Sequence, residues 1–264
     1  MLIPVQNLSS VGIIYRKANP SQVFIETKTP GYPRKVMVGK GLLPGGNWVG
    51  KAAASDRSPR HTYEREIFEE FSFDNPVADP EEMIELFGTG NLGHAPEKRD
   101  IKASHPDIST LTTLKHNIAA LSTLYPFGLF LQHVPKWVFD SGDPENKTGE
   151  YFGAVSVFEI PLPDELWNYL EELQLRYGNL SNEAQTLITS AEEIVARGYY
   201  IGWGQDRVLQ RHFLRHGMNI ATQMPLVAGI SSIPIGLPIA TYTECFRVFD
   251  IEKIPEGIQR PAIA

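Results

Sequence analysis

The chain reads as an α/β fold, on three observations. Two runs of β-branched and aromatic residues open it, a capped helix with one apolar arc follows a glycine-rich stretch, and strand and helix signals alternate irregularly beyond residue 150. Irregular alternation points to a domain carrying insertions rather than a regular parallel βαβ array. With 264 residues, of which 42% are hydrophobic and 21% charged, the chain has material for a substantial core and lacks the composition of a disordered or coiled-coil protein.

Taken in order, Val11–Tyr15 and Gln22–Lys28 predict a hairpin across Asn19-Pro20-Ser21. Lys35–Val38 reads as a further extended run that feeds a loop at Pro44-Gly45-Gly46. Ser58 followed by Pro59 marks a helix start, because Ser caps free amides and Pro is pre-set for the first helical position; the helix runs to about Phe71. A helix is expected around Leu111–Leu124 and a strand over Tyr151–Ile160. Leu166, Leu170, Leu173 and Tyr177 recur at helical spacing ahead of Gly178, a left-handed stop. Ser190-Ala191-Glu192-Glu193 is a capping-box pattern for a short helix ending near Gly198, and Asp206 reads as the cap of another ending near Gly217.

Composition also bounds function. Lys and Arg number 24 against 31 Asp and Glu, a net charge of −7 without a basic cluster in the sequence, which disfavours general nucleic-acid binding. The lone cysteine, Cys245, excludes an intrachain disulfide and an all-cysteine zinc site, and fits a reducing compartment. MLIPVQNLSS lacks a basic leader and a long apolar stretch, so a cytoplasmic location is expected. Gly217–Thr243 is uncharged and long enough to span a bilayer, but Pro225, Pro234 and Pro238 argue for a buried, irregular segment instead.

The chemistry is concentrated in Arg65-Glu66-Ile67-Phe68-Glu69-Glu70. On a helix, Tyr63, Ile67, Phe68 and Phe71 fall in one apolar arc, and Glu66, Glu69 and Glu70, spaced i, i+3, i+4, share a neighbouring arc of about 100°. Like charges so placed repel, acids near a helix C-terminus oppose its dipole, and no Lys or Arg occurs between Glu66 and Glu97. A hard divalent cation would relieve the repulsion, with Mg²⁺ suited to a few carboxylates plus substrate phosphates. A solvated acidic face is the plain alternative.

With the preceding Pro44-Gly45-Gly46, this segment resembles the signature of the Nudix hydrolases: Gly, five residues, Glu, seven residues, then Arg-Glu-(apolar)-x-Glu-Glu-x-Gly-(apolar). Arg65 to Phe73 matches the second half at every position but Ser72, which replaces Gly. Arg57 stands where the family has its upstream Glu, and the loop carries about five extra residues near Lys51–Ser55. The resemblance implies an α/β/α sandwich with a mixed sheet. It would be a single domain over 1–264, with an insertion at 88–149 and additional helical or irregular segments at 178–264.

It also implies a pyrophosphohydrolase that uses Mg²⁺ or Mn²⁺ on a nucleoside diphosphate linked to another group. Glu66, Glu69 and Glu70 would be metal ligands and catalytic residues, with Glu66 alternatively a base. Arg65 would brace the loop, and Gly45 and Gly46 would approach the substrate. Asp56 is expected to pair with Arg65 in place of the missing Glu. Glu150 and Glu159 are candidates for a further base, ahead of Asp140, Asp143 and Glu145, while His212 and His216 show no metal spacing beyond an i, i+4 pair. Trp48 and Trp203 read first as core residues and second as stacking platforms for a base. The remaining length offers a substrate lid or a homodimer surface, with no membrane contact. A catalytically silent nucleotide-binding module is the alternative, on the strength of Arg57 and Ser72.

Overall fold

The computed structural model describes residues 2–30, 32, 35–48, 56–73, 105–135, 138 and 151–252. Strands β1 (Ile3–Val5), β2 (Asn7–Arg16) and β3 (Asn19–Thr27) open the chain, and β2 and β3 form the expected antiparallel hairpin. Its turn lies at Lys17-Ala18, because Asn19 already belongs to β3 and its side chain accepts the Ser21 amide at 3.3 Å.

Lys35–Met37 is a 3₁₀ turn and not an extended run. Between β3 and β4 (Gly41–Leu42) the chain folds back on itself: the Lys40 amide donates to Met37 and the Gly39 amide to Lys28. The predicted glycine loop is corrected too, since Gly45–Asn47 is a strand, β5, paired antiparallel with β2 at Ser9–Val11.

Helices α1 (Pro59–Glu70), α2 (Pro106–Ser122) and α3 (Asp164–Tyr177) alternate with β6 (Pro126–Val134) and β7 (Tyr151–Leu162). β8 (Gln185–Ser190), α4 (Ala191–Arg197) and α5 (Gln205–Arg215) follow, then β9 (Ser231–Gly236), α6 (Tyr242–Val248) and β10 (Phe249–Ile251). Gly178 and Gly198 end α3 and α4 in the left-handed conformation, and the capping box at Ser190 and Glu193 is formed. Asp206 is not a cap: Gly204 holds that position, and the Asp206 carboxylate instead accepts the Arg207 and Val227 amides at 2.8 and 2.7 Å.

Among the described residues, one sheet runs β4-β3-β2-β7-β6-β9, with β5 on β2 and β8 on β3. It is mixed: β2 and β7 are parallel, and its other pairs are antiparallel. Strand side chains alternate between faces. Ile14, Phe24, Phe158 and Ile160 meet Tyr63, Ile67, Leu114 and Trp167 of α1, α2 and α3. Ile13, Val23, Ile25 and Val157 meet Ile194 of α4 and Val208, Leu209 and Phe213 of α5. The result is an α/β/α sandwich, as read from the sequence.

Residues 105–135 of the 88–149 stretch form α2 and β6, and β6 pairs with β7 inside the sheet. The 178–264 stretch contributes β8 and β9 as well as helices. No helix of the described residues is long and apolar enough to cross a membrane. Gly217–Thr243 is irregular as expected but not buried throughout, with Ile233 56% and Leu237 70% exposed.

Candidate active site

Helix α1 is built locally as its sequence demands. Ser58 caps it, its hydroxyl accepting the His61 amide at 3.1 Å, and Pro59 occupies the first turn. The C-terminus avoids a left-handed residue: Phe71 is extended (φ −69°, ψ 108°), and the Ser72 amide donates to Leu180. Asn182 then closes the end, its amide donating to the Glu70 carbonyl at 3.0 Å and its side chain to that of Glu69 at 2.9 Å. These bonds cover the open carbonyls of the last turn, so Ser72 carries no backbone strain where the signature has Gly.

Arg65 is the hub. Its guanidinium takes both oxygens of Asp56, at 3.0 and 3.1 Å, together with the Asn47 carbonyl, Glu66 and Glu69, each at 2.8 Å. The expected Asp56–Arg65 pair is therefore present. Asp56 is buried and also accepts the Thr62 hydroxyl at 3.0 Å. Arg65 thus ties the segment before α1 and the end of β5 to the helix. Burial opposes its charge, but Asp56 and Glu66 outweigh that and raise its pKa.

The three glutamates do not share one open face. Glu66 and Glu70 turn inward and are buried, whereas the Glu69 side chain is 60% exposed. Nor is the acidic segment without a local cation, since Arg65 pairs with both Glu66 and Glu69. Phe68 leaves the apolar arc as well, being 40% exposed with its ring against His116.

Glu70 has no such partner. Its Oε2 is buried without a hydrogen bond, as are Oε1 of Glu26 on β3 and the Tyr63 hydroxyl. Burial raises the Glu70 pKa most, and Glu26 and Glu66 push it further up. Burial also raises Glu26, against the pull of Lys28. Glu66 is raised by the same cause, with Arg65 opposing. Buried polar atoms without partners are rare and costly, and two carboxyls that disfavour each other's charge hold a proton or attract a cation. Glu26 escapes sequence reasoning because its partners on α1 are remote in the chain; a lone acid directly after the apolar run Val23-Phe24-Ile25 is the one signal.

Gly45 and Gly46 frame the site. Gly45 has φ +132°, and a Cβ there would lie 2.2 Å from the Ser10 carbonyl oxygen. A Cβ on Gly46 would lie 2.3 Å from the Glu66 carboxyl carbon, so glycine here makes room for the carboxylate. Trp48 stacks on Tyr242 at 4.1 Å, and Trp203 packs beside Met37 and Val227, both core roles.

A second cluster lies on the opposite sheet face. Glu159, His212 and His216 form, among the described residues, the one group of potential metal ligands whose atoms all lie within 4.8 Å of one another. Its partners are internal, however. His212 Nδ1 meets Glu159 at 2.8 Å, His212 Nε2 meets the Pro20 carbonyl at 3.2 Å, and Arg215 stands 3.5 Å from the other Glu159 oxygen. Burial works to raise Glu159, but His212, Arg215 and His216 together hold its pKa below the ordinary value. The candidates Glu150, Asp140, Asp143 and Glu145 lie outside the described residues.

No family model matches the chain, and no curated protein matches it. Among solved structures it is similar to a NUDIX hydrolase from Alicyclobacillus acidocaldarius, at 14% identity over 74% of this chain and 83% of that one, with a TM-score of 0.32. An overlay this loose says nothing of chemistry.

Proposed function

We propose that the chain is a metal-dependent hydrolase of the Nudix type, cleaving the pyrophosphate of a nucleoside diphosphate linked to another group. The observation that carries this reading is the buried pair of Glu70, on the same helix as Glu66 and Glu69, and Glu26 of β3, each with an unpartnered oxygen. An all-oxygen, acid-rich donor set of this kind fits a hard cation. Mg²⁺ or Mn²⁺ would be held by Glu66, Glu69 and Glu70; bound there, it supplies charge neutralisation at the phosphates and a more acidic water.

The chain's own side chains do the rest. Arg65 and Asp56 fix the turn before α1 relative to β5, which keeps Gly46 against Glu66. Glu69, being exposed, is free to exchange its Arg65 partner as substrate arrives. Glu66 binds Arg65 through Oε1; as the alternative to a ligand role, its second oxygen would accept the proton of the attacking water. Gly45 lets β5 lie close against the Ser10 backbone, and Gly46 leaves room for the Glu66 carboxylate.

The test is incubation with Mg²⁺ or Mn²⁺ and a panel of ADP-ribose, dinucleotides, nucleotide sugars and nucleoside triphosphates. We expect a nucleoside monophosphate to be released from one class, with turnover lost in Glu69→Gln and Glu70→Gln while the fold persists. Near wild-type activity in both variants refutes the assignment. Specific binding without any product identifies a silent nucleotide-binding module instead.

A further inference from the structure

Helix α5 carries Arg207, Arg211 and Arg215 at intervals of four, hence along one stripe about 12 Å long. The stripe borders an open cleft of about 580 Å³ between α5 and strands β6 and β9. This is the sheet face away from α1, so the cleft is separate from the carboxylate site.

The charges there are poorly balanced. Arg207 binds Asp206 at 3.0 Å, but that carboxylate is buried and already takes two backbone amides. Arg215 reaches Glu159 only at 3.5 Å, where His212 is the nearer partner. Arg211 is exposed and makes no hydrogen bond or ion pair among the described residues. The opposite wall belongs to Gly217–Thr243, which holds no charged residue at all. It presents Pro234 and Ser232, the latter with an unpartnered hydroxyl. Of the three, Arg211 alone has no carboxylate among the described residues, and it faces the cleft between two like charges.

We infer that this cleft is a binding site for a small polyphosphate ester with an apolar body, a nucleoside di- or triphosphate in class. Guanidinium groups grip phosphate through paired hydrogen bonds. A stripe of three matches more than one phosphate. Phe130, Leu214 and Pro234 give the apolar body a wall, and the volume lies within the range of small-molecule sites. The short cleft and the chain's net charge of −7 favour this over a long nucleic-acid strand.

Calorimetric titration of the full chain with ATP and with inorganic triphosphate, in EDTA and at low salt, tests it. EDTA silences the metal-dependent site, and Glu70→Gln should bind ATP as wild type does, so this site and the proposed hydrolase stand or fall separately. We expect ATP to bind, triphosphate to bind more weakly for want of the apolar body, and Arg211→Ala to weaken ATP binding by about tenfold. The melting temperature of Arg211→Ala should be unchanged, because the side chain is exposed and unpaired. No ATP binding up to about 1 mM, unaltered affinity in Arg211→Ala, triphosphate binding as tight as ATP, or binding confined to a long single strand would each overturn the inference.

Discussion

Replacing Glu70 by Gln keeps the side chain's volume and removes a carboxyl that burial already disfavours as an anion. The consequence for stability has a definite sign. With its pKa raised on folding, Glu70 binds its proton more tightly in the native than in the unfolded chain. The native protein therefore loses stability as pH rises from the ordinary carboxylate range towards the raised value. In EDTA, wild type should melt progressively lower from pH 5 to pH 9, and Glu70→Gln should show a flatter profile and a higher melting temperature at neutral pH. A steeper fall in the variant would contradict this. Asp56 is a buried acid paired with Arg65 and Thr62. Removing it should cost about 3–5 kcal/mol in denaturant unfolding, and an unchanged midpoint in Asp56→Ala would show the pair to be idle. Asp56 was legible by counting back from Arg65. Glu26 was not, because nothing in a strand's local spacing reveals which helix will lie across it.

At the scale of elements, caps and stops were readable because they are local: Ser58, Gly178, Gly198 and the Ser190 box all act within a few residues of their own backbone. Strand β5 was misread because its partner, Ser9–Val11 of β2, lies far back in the chain, and the 3₁₀ turn at Lys35–Met37 because the Lys28–Gly39 bond that folds this connection back is not written in its local pattern. The end of α1 is a similar case. Its missing glycine is made good by Asn182, from the loop after α3. Strand β5 yields a direct prediction. Gly46→Ala places a methyl into the Glu66 carboxyl and should reduce turnover strongly, while Gly236→Ala, which meets nothing within 4 Å, should leave it intact. Equal activities in the two variants would show that Glu66 has no need of its present position.

Across the whole molecule, the sheet separates the carboxylate site from the α5 cleft. Acids from β3 and α1 gather on one side, and arginines from α5 line the edge of the other. The α/β class was legible in the alternation of strands and helices, and the sandwich followed only from the resemblance to the Nudix signature. Strand order was not, since the parallel union of β2 with β7 joins residues far apart in sequence. The trio of glutamates was legible as a motif, yet its division into two inward carboxyls and one outward was hidden, because Arg65 and the sheet beneath impose it. What unites these scales is the claim that the inward carboxyls await a divalent cation. Thermal unfolding of wild type and Glu70→Gln in EDTA and in excess Mn²⁺ measures this most directly. At about a hundred times its dissociation constant the ion should stabilise wild type by about 2.7 kcal/mol and leave Glu70→Gln unmoved. An equal shift in both proteins, or none in wild type, would contradict it.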